Sequence, residues 1–234
     1  MKVHLVKEII HVFLRGQLSA SSTDWYFPHA IVDHFHVTWA HLAELGLKET
    51  YNRALRSEIS NRWWKRDHYR PKEIMLSLIE ADPELAAIAW KDLAQPNASL
   101  EGRLSRFNYY CEQLLDLHRQ TYLRDIETYH HQDAAMMSLY LAGLFPDTYT
   151  LYPGLDVFQQ FCKAVGSPDI PKVDDLVRYM KVAGIVFNFL KQDDQYEALL
   201  SSRDQPIHKI QCLPFQISGE VITSFLPVSA VRLS

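Results

Sequence analysis

Any metal or acid–base chemistry in this chain would have to start from its histidines. His130, His131 and Asp133 fall within the tetrapeptide HHQD, and His29, His34, His36 and His41 form a second group upstream. Imidazoles and carboxylates hold a transition metal when several converge on one point. Joined, the two groups would make a metal-dependent hydrolase. The spacing argues against this. Neighbouring residues on a helix point in different directions, and only His34 and His41, seven apart, are expected to share a face. There is no H-E-x-x-H pattern and no paired His-Asp order of a phosphohydrolase. The competing reading is structural. Asp133, or Gln132 beside it, caps a helix that begins near Ala134, and the histidines satisfy backbone groups or partner side chains. On that reading the chain has no catalytic residue, no metal and no cofactor.

Nucleotide and acyl-transfer motifs are missing as well. The sequence contains no G-x-x-x-x-G-K-[ST], no G-x-G-x-x-G and no G-x-S-x-G. Phosphate cradles need closely spaced glycines ahead of a helix, and this chain has only eight glycines in all. A non-enzymatic protein is expected.

Polyanion binding has a better candidate. Residues 52–73 hold Arg53, Arg56, Arg62, Lys65, Arg66, Arg70 and Lys72 against Glu58, Asp67 and Glu73, with Trp63, Trp64 and Tyr69 interleaved. Cations neutralise phosphates and aromatic faces stack on bases. The candidate nucleic-acid-binding residues are Arg53, Arg56, Arg62, Trp64, Lys65, Arg66, Arg70 and Lys72. The formal net charge of the whole chain is -4, so nucleic acid could be held only by such a local patch. The competing reading is a solvated basic face with one tryptophan anchored in the core.

These residues sit on a helical chain. Hydrophobic residues make up 47% of the 234, and few glycines argue against a sandwich or barrel. The expected fold is all-α, a multi-helix globular bundle around a long central helix at about 99–127. Helices are expected over 3–14, with Gly16 as the stop and 16–24 a loop, then over 29–44, about 48–64, from Pro71, and from Pro83 with Asp82 as N-cap. Further helices are expected over 133–144, 154–165, 172–191 and 193–201. On the first helix, Val3, Val6, Ile10, Phe13 and Leu14 form the apolar stripe. On the long helix, Leu100, Leu104, Phe107, Cys111, Leu114, His118 and Tyr122 face the core, and Arg103, Arg106 and Arg119 lie off that stripe. There, Tyr109, Tyr110 and Tyr122 are expected in the core or at its boundary. The apolar run MKVAGIVFNFL places 172–191 at the centre. From Ile207 onward a short strand or an irregular tail is expected. The division expected is 1–95, a helical subdomain with the basic segment, and 96–234, a second one, unless the two are continuous.

Cys111, Cys162 and Cys212 are an odd set without C-x-x-C spacing, which predicts buried thiols in a reducing cytoplasm. The N-terminal apolar stretch, interrupted by Lys7 and Glu8, does not read as a signal peptide, and no apolar run is long enough for a membrane span.

The segment 107–190 resembles the region that precedes the motor domain in McrB-like AAA+ ATPases of modification-dependent restriction and phage-defence systems. The resembling positions are Ser138, Tyr140, Leu141, Phe145, Pro146, Tyr149, Tyr152, Phe158, Phe161, Cys162 and Gly166, with SNRWWKRDHYRPKEIMLSLIE upstream. The ATPase motor itself is absent from this sequence. The resemblance implies a recognition domain that selects a target, often DNA, and works with an ATPase motor or a nuclease subunit. The alternative is a helical assembly module with no nucleic-acid role, docking a partner through an apolar patch around 205–230.

Overall fold

The computed structural model describes residues 1–19, 27–56, 61, 70–122 and 132–201, and these form helices and turns with no strand among them. In chain order the helices are α1 (Val3–Ser19), α2 (Phe27–Trp39), α3 (Leu42–Leu45), α4 (Leu47–Ala54), α5 (Pro71–Ala81), α6 (Pro83–Leu93), α7 (Leu100–Tyr122), α8 (Ala134–Leu144), α9 (Leu155–Ala164), α10 (Leu176–Leu190) and α11 (Asp194–Ser201). The expected strand or tail beyond Ile207, with its apolar patch, lies outside the described residues, as does Cys212.

Local sequence explains several helix starts. Asp82 accepts hydrogen bonds from the Glu84 and Leu85 amides through Oδ1, and Pro83 follows at the first helical position of α6. Asp133 accepts the Met136 amide at 2.9 Å and starts α8. Asp175 does the same for α10 through the Arg178 amide. Replacing Asp82 with Ala is expected to cost about 1 kcal/mol, read as a lower urea midpoint with an unchanged slope. Gly46, at φ 75°, closes α3 and leads into α4.

Some expectations fail for physical reasons. α1 runs through Gly16 to Ser19, since a glycine merely costs about 1 kcal/mol inside a helix and does not end it. In that helix Ile9 is buried and Val3 is exposed, because the stripe is centred on Val6, Ile10 and Phe13. α4 stops at Ala54, earlier than the expected helix over 48–64. Leu55 leaves helical geometry there. Arg103 is 1% exposed rather than on the surface. Its Nη1 donates to the Leu93 carbonyl at 3.1 Å, which satisfies one of the last acceptors of α6. Tyr109 is 57% exposed, not a core or boundary residue.

The contacts divide the chain into two compact units. The first is Met1–His29 with Asp147–Ser234, and the second is Ala30–Pro146. The expected cut at 95/96 falls inside the second unit, between α6 and α7, which pack on one another.

In the first unit α1 packs on α10 and α11. Tyr152, Phe158 and Tyr179 meet edge to face, and the Tyr179 hydroxyl donates to the Leu151 carbonyl at 2.6 Å. α10 is amphipathic. It buries Tyr179, Ala183, Val186 and Leu190, and leaves Ile185 44% exposed.

The expected long helix is α7, in the second unit, and 172–191 belongs to the first unit. In α8 every residue from Ala135 to Gly143 is buried, the mark of a helix that is apolar on all sides. α5 and α6 both pack on α7, and α4 packs on α5. The core is aromatic: Trp90 lies 4.6 Å from Trp39, 4.7 Å from Tyr140, 5.3 Å from Phe107 and 5.6 Å from Tyr51, ring centre to ring centre. A polar chain threads it. The Tyr51 hydroxyl bonds the Tyr140 hydroxyl at 2.8 Å, Tyr140 donates to Gln132 Oε1 at 2.6 Å, and Gln132 Nε2 reaches the Pro71 carbonyl at 3.4 Å. Because Tyr140 gives its proton to Gln132, Tyr51 is the donor of the first bond.

Burial in this core sets an alkaline limit. It pushes the Cys111 thiol up to about 12 and raises the Tyr51 hydroxyl well above its usual range. The unfolded thiol loses its proton near about 8.5 while the native one keeps it, so the native state binds more protons between those values. Stability is full below that window and falls as pH rises through it, at up to about 1.4 kcal/mol per pH unit for the thiol alone. Urea midpoints should be level from neutral pH to about 8.5 and then fall, with Cys111→Ala removing the first part of the decline. A level wild-type profile to about pH 11 would contradict this burial effect.

Candidate nucleic-acid interface

The histidine groups do not assemble. His29 is buried at the start of α2. His34 Nε2 bonds the Arg53 carbonyl at 3.1 Å, His36 Nδ1 bonds the Gly143 carbonyl at 2.9 Å, and His41 Nδ1 bonds Glu44 Oε2 at 3.2 Å. His41 also lies beyond the end of α2, so it shares no helix face with His34. In HHQD, Asp133 is the cap and Gln132, 6% exposed, belongs to the tyrosine chain. His130 and His131 lie outside the described residues. Among the described residues no three histidine, cysteine or carboxylate groups come together as a metal set.

The two ends of the basic segment that the structure describes lie against each other on two helices. Lys48 pairs with Glu80 at one end of the α4–α5 contact. At the other end Lys72 Nζ donates to the Leu55 carbonyl at 3.3 Å. α4 and α5 therefore run antiparallel, and the last turn of α4 meets the first turn of α5. Four candidate residues lie at that end: Arg53 in the last turn of α4, Arg56 just beyond it, Arg70 at the cap of α5 and Lys72 in its first turn. Arg62, Trp64, Lys65 and Arg66 lie outside the described residues.

The four are not equivalent. Arg56 and Arg70 are exposed. Arg53 Nε donates to Glu49 Oε1 one turn earlier. Lys72 is half-buried, and this burial lowers its ammonium below the usual lysine range. Glu73 opposes that effect, and the positive charge of Arg56 adds to it. The charge of Arg56 thus reaches Lys72 across the junction. Arg56 also acts on Glu49, whose carboxyl is held below the usual carboxylate range, first by the Arg53 hydrogen bond.

Other arginines are committed elsewhere. Arg106 pairs with Asp92 at 3.0 Å and Arg119 with Asp116 at 3.6 Å, as expected for helical surface arginines. Of the residues that carry the McrB-like resemblance, Ser138, Tyr140, Leu141, Pro146, Tyr152, Phe158, Phe161 and Cys162 are all buried, so at these positions the pattern is one of packing.

These features define an all-helical protein of two compact units with a small cationic junction on the second. No family model, curated protein or solved structure matches this chain. No helix among the described residues is long and apolar enough to cross a membrane.

Proposed function

We propose that the chain is a non-enzymatic recognition domain of a restriction or phage-defence ATPase, and that the α4–α5 junction binds duplex DNA through its phosphates. One observation supports the site above all: antiparallel packing brings Arg53, Arg56, Arg70 and Lys72 to one end of a helix pair in a protein of net charge -4. The McrB-like resemblance supports the class of system and a motor or nuclease subunit as partner. Arg56 and Arg70, exposed, make the phosphate contacts. Lys72, held on the Leu55 carbonyl, fixes the spacing between the two helix ends.

The experiment is fluorescence anisotropy on a short labelled duplex, titrated at salt from about 50 to 200 mM, where phosphate contacts weaken steeply. Each phosphate contact contributes about 0.9 to the salt slope, so Arg56→Ala with Arg70→Ala should flatten it by nearly two units. Absence of any salt-dependent binding by the wild type at about 50 mM overturns the proposal.

A further inference from the structure

Glu49 is a carboxylate paired with one of the junction's cations, although it belongs to no binding motif. It sits one turn before Arg53 on α4, in the order that favours an i,i+4 pair, acid before base. Its Oε1 accepts a hydrogen bond from Arg53 Nε, Asn52 adds another, and the charge of Arg56 is within range. Both partners are about half exposed, at 45% and 53% of their side-chain surface, so an arriving anion can reach the pair.

We propose that Glu49 is a specificity-determining residue of this interface, an internal anion that holds Arg53 until a more densely charged ligand displaces it. This rests on the α4–α5 junction being a polyanion site. An isolated carboxylate offers Arg53 the same chemistry as Glu49. It must also surrender its own freedom to bind, so it loses the exchange. Duplex DNA presents one charge per roughly 1.7 Å of axis and engages several cations at once, so it wins. Exposed ion pairs are weak, which makes the exchange reversible. Glu49 thus admits phosphate polymers and turns away carboxylate-rich proteins.

The test uses the full chain and two labelled probes, a short duplex and polyglutamate, with Glu49→Gln, Arg53→Ala, their double variant and Arg56→Ala. Glu49→Gln should tighten DNA binding roughly two- to five-fold and polyglutamate binding by more than that. In the Arg53→Ala background the gain should shrink towards none, since there is no longer a guanidinium to release. If the gain is as large without Arg53, it reflects net charge alone and the displacement idea is wrong. If Glu49→Gln changes neither probe while Arg56→Ala weakens DNA, the junction stands and the role of Glu49 is refuted. If no variant binds either probe, the junction falls and this inference with it.

Discussion

Gly143→Ala should lower the stability of the second unit by about 2 kcal/mol, one of the two largest effects expected of a single substitution here. A Cβ at that position would sit 2.1 Å from Phe35 Cδ1, 2.6 Å from Cγ and 2.9 Å from Cε1. The ring has nowhere to go. Phe35 is fully buried, stacked on Trp39 at 5.1 Å and tilted against Tyr140 at 6.2 Å. Overpacking of this kind costs about 1–3 kcal/mol and more when the neighbour is fixed. Alanine's helix preference returns about 1 kcal/mol of that. The same shift would strain the hydrogen bond between His36 and the Gly143 carbonyl. Urea unfolding measures the loss, and Phe35→Leu in the Gly143→Ala background should recover part of it, because the two sites are in contact. A Gly143→Ala protein within about 0.5 kcal/mol of wild type would mean that α2 and α8 are not this close.

Trp90→Ala should cost about 3–5 kcal/mol, a large part of the stability of a domain of this size. The indole is packed among Trp39, Tyr51, Phe107 and Tyr140, and its removal leaves a cavity that four other rings must close. Near-ultraviolet circular dichroism should lose amplitude along with the urea midpoint. Trp90→Phe gives the sharper test. Among the described residues the buried indole N–H has no hydrogen-bond partner, a cost of about 1–3 kcal/mol that phenylalanine removes. Phe should therefore fall well under half the cost of Ala. Equal losses from the two variants would show that the N–H is satisfied in solution.

What the sequence could reveal was local. Asp82 with Pro83, Asp133 ahead of an apolar run, and the three-four spacing of Phe107, Cys111, Leu114 and His118 all act within one or two turns, and each appears in the fold as read. What it hid was tertiary. Periodicity puts Arg103 off the apolar stripe, yet a carbonyl at the end of another helix and the ring of Phe145, 5.4 Å from the guanidinium, draw it inside. The run in α10 looked central by composition, but Ile185 points outward, whereas α8, shorter and free of charge, is buried from Ala135 to Gly143. The basic residues of the junction were legible by type. Their convergence was not, because it depends on α4 and α5 running in opposite directions. The Glu49–Arg53 pair has i,i+4 spacing, but Glu49 lies outside the 52–73 stretch from which the basic site was read.

The first unit is assembled from both ends of the chain, with Ala30–Pro146 inserted between them. During synthesis α1 leaves the ribosome long before α10 and α11, the helices it packs on, have been made. The inserted unit can begin to fold as it emerges, because the contacts of α5 with α4 and of α7 with α5 and α6 lie within it. Meanwhile Val6, Ile9, Ile10, Phe13 and Leu14 have no complement, and at translation rates of about 5–20 residues per second they wait on the order of ten seconds. A nascent chain arrested before residue 176 should therefore display this apolar face to holdase chaperones, and one arrested after α11 should not.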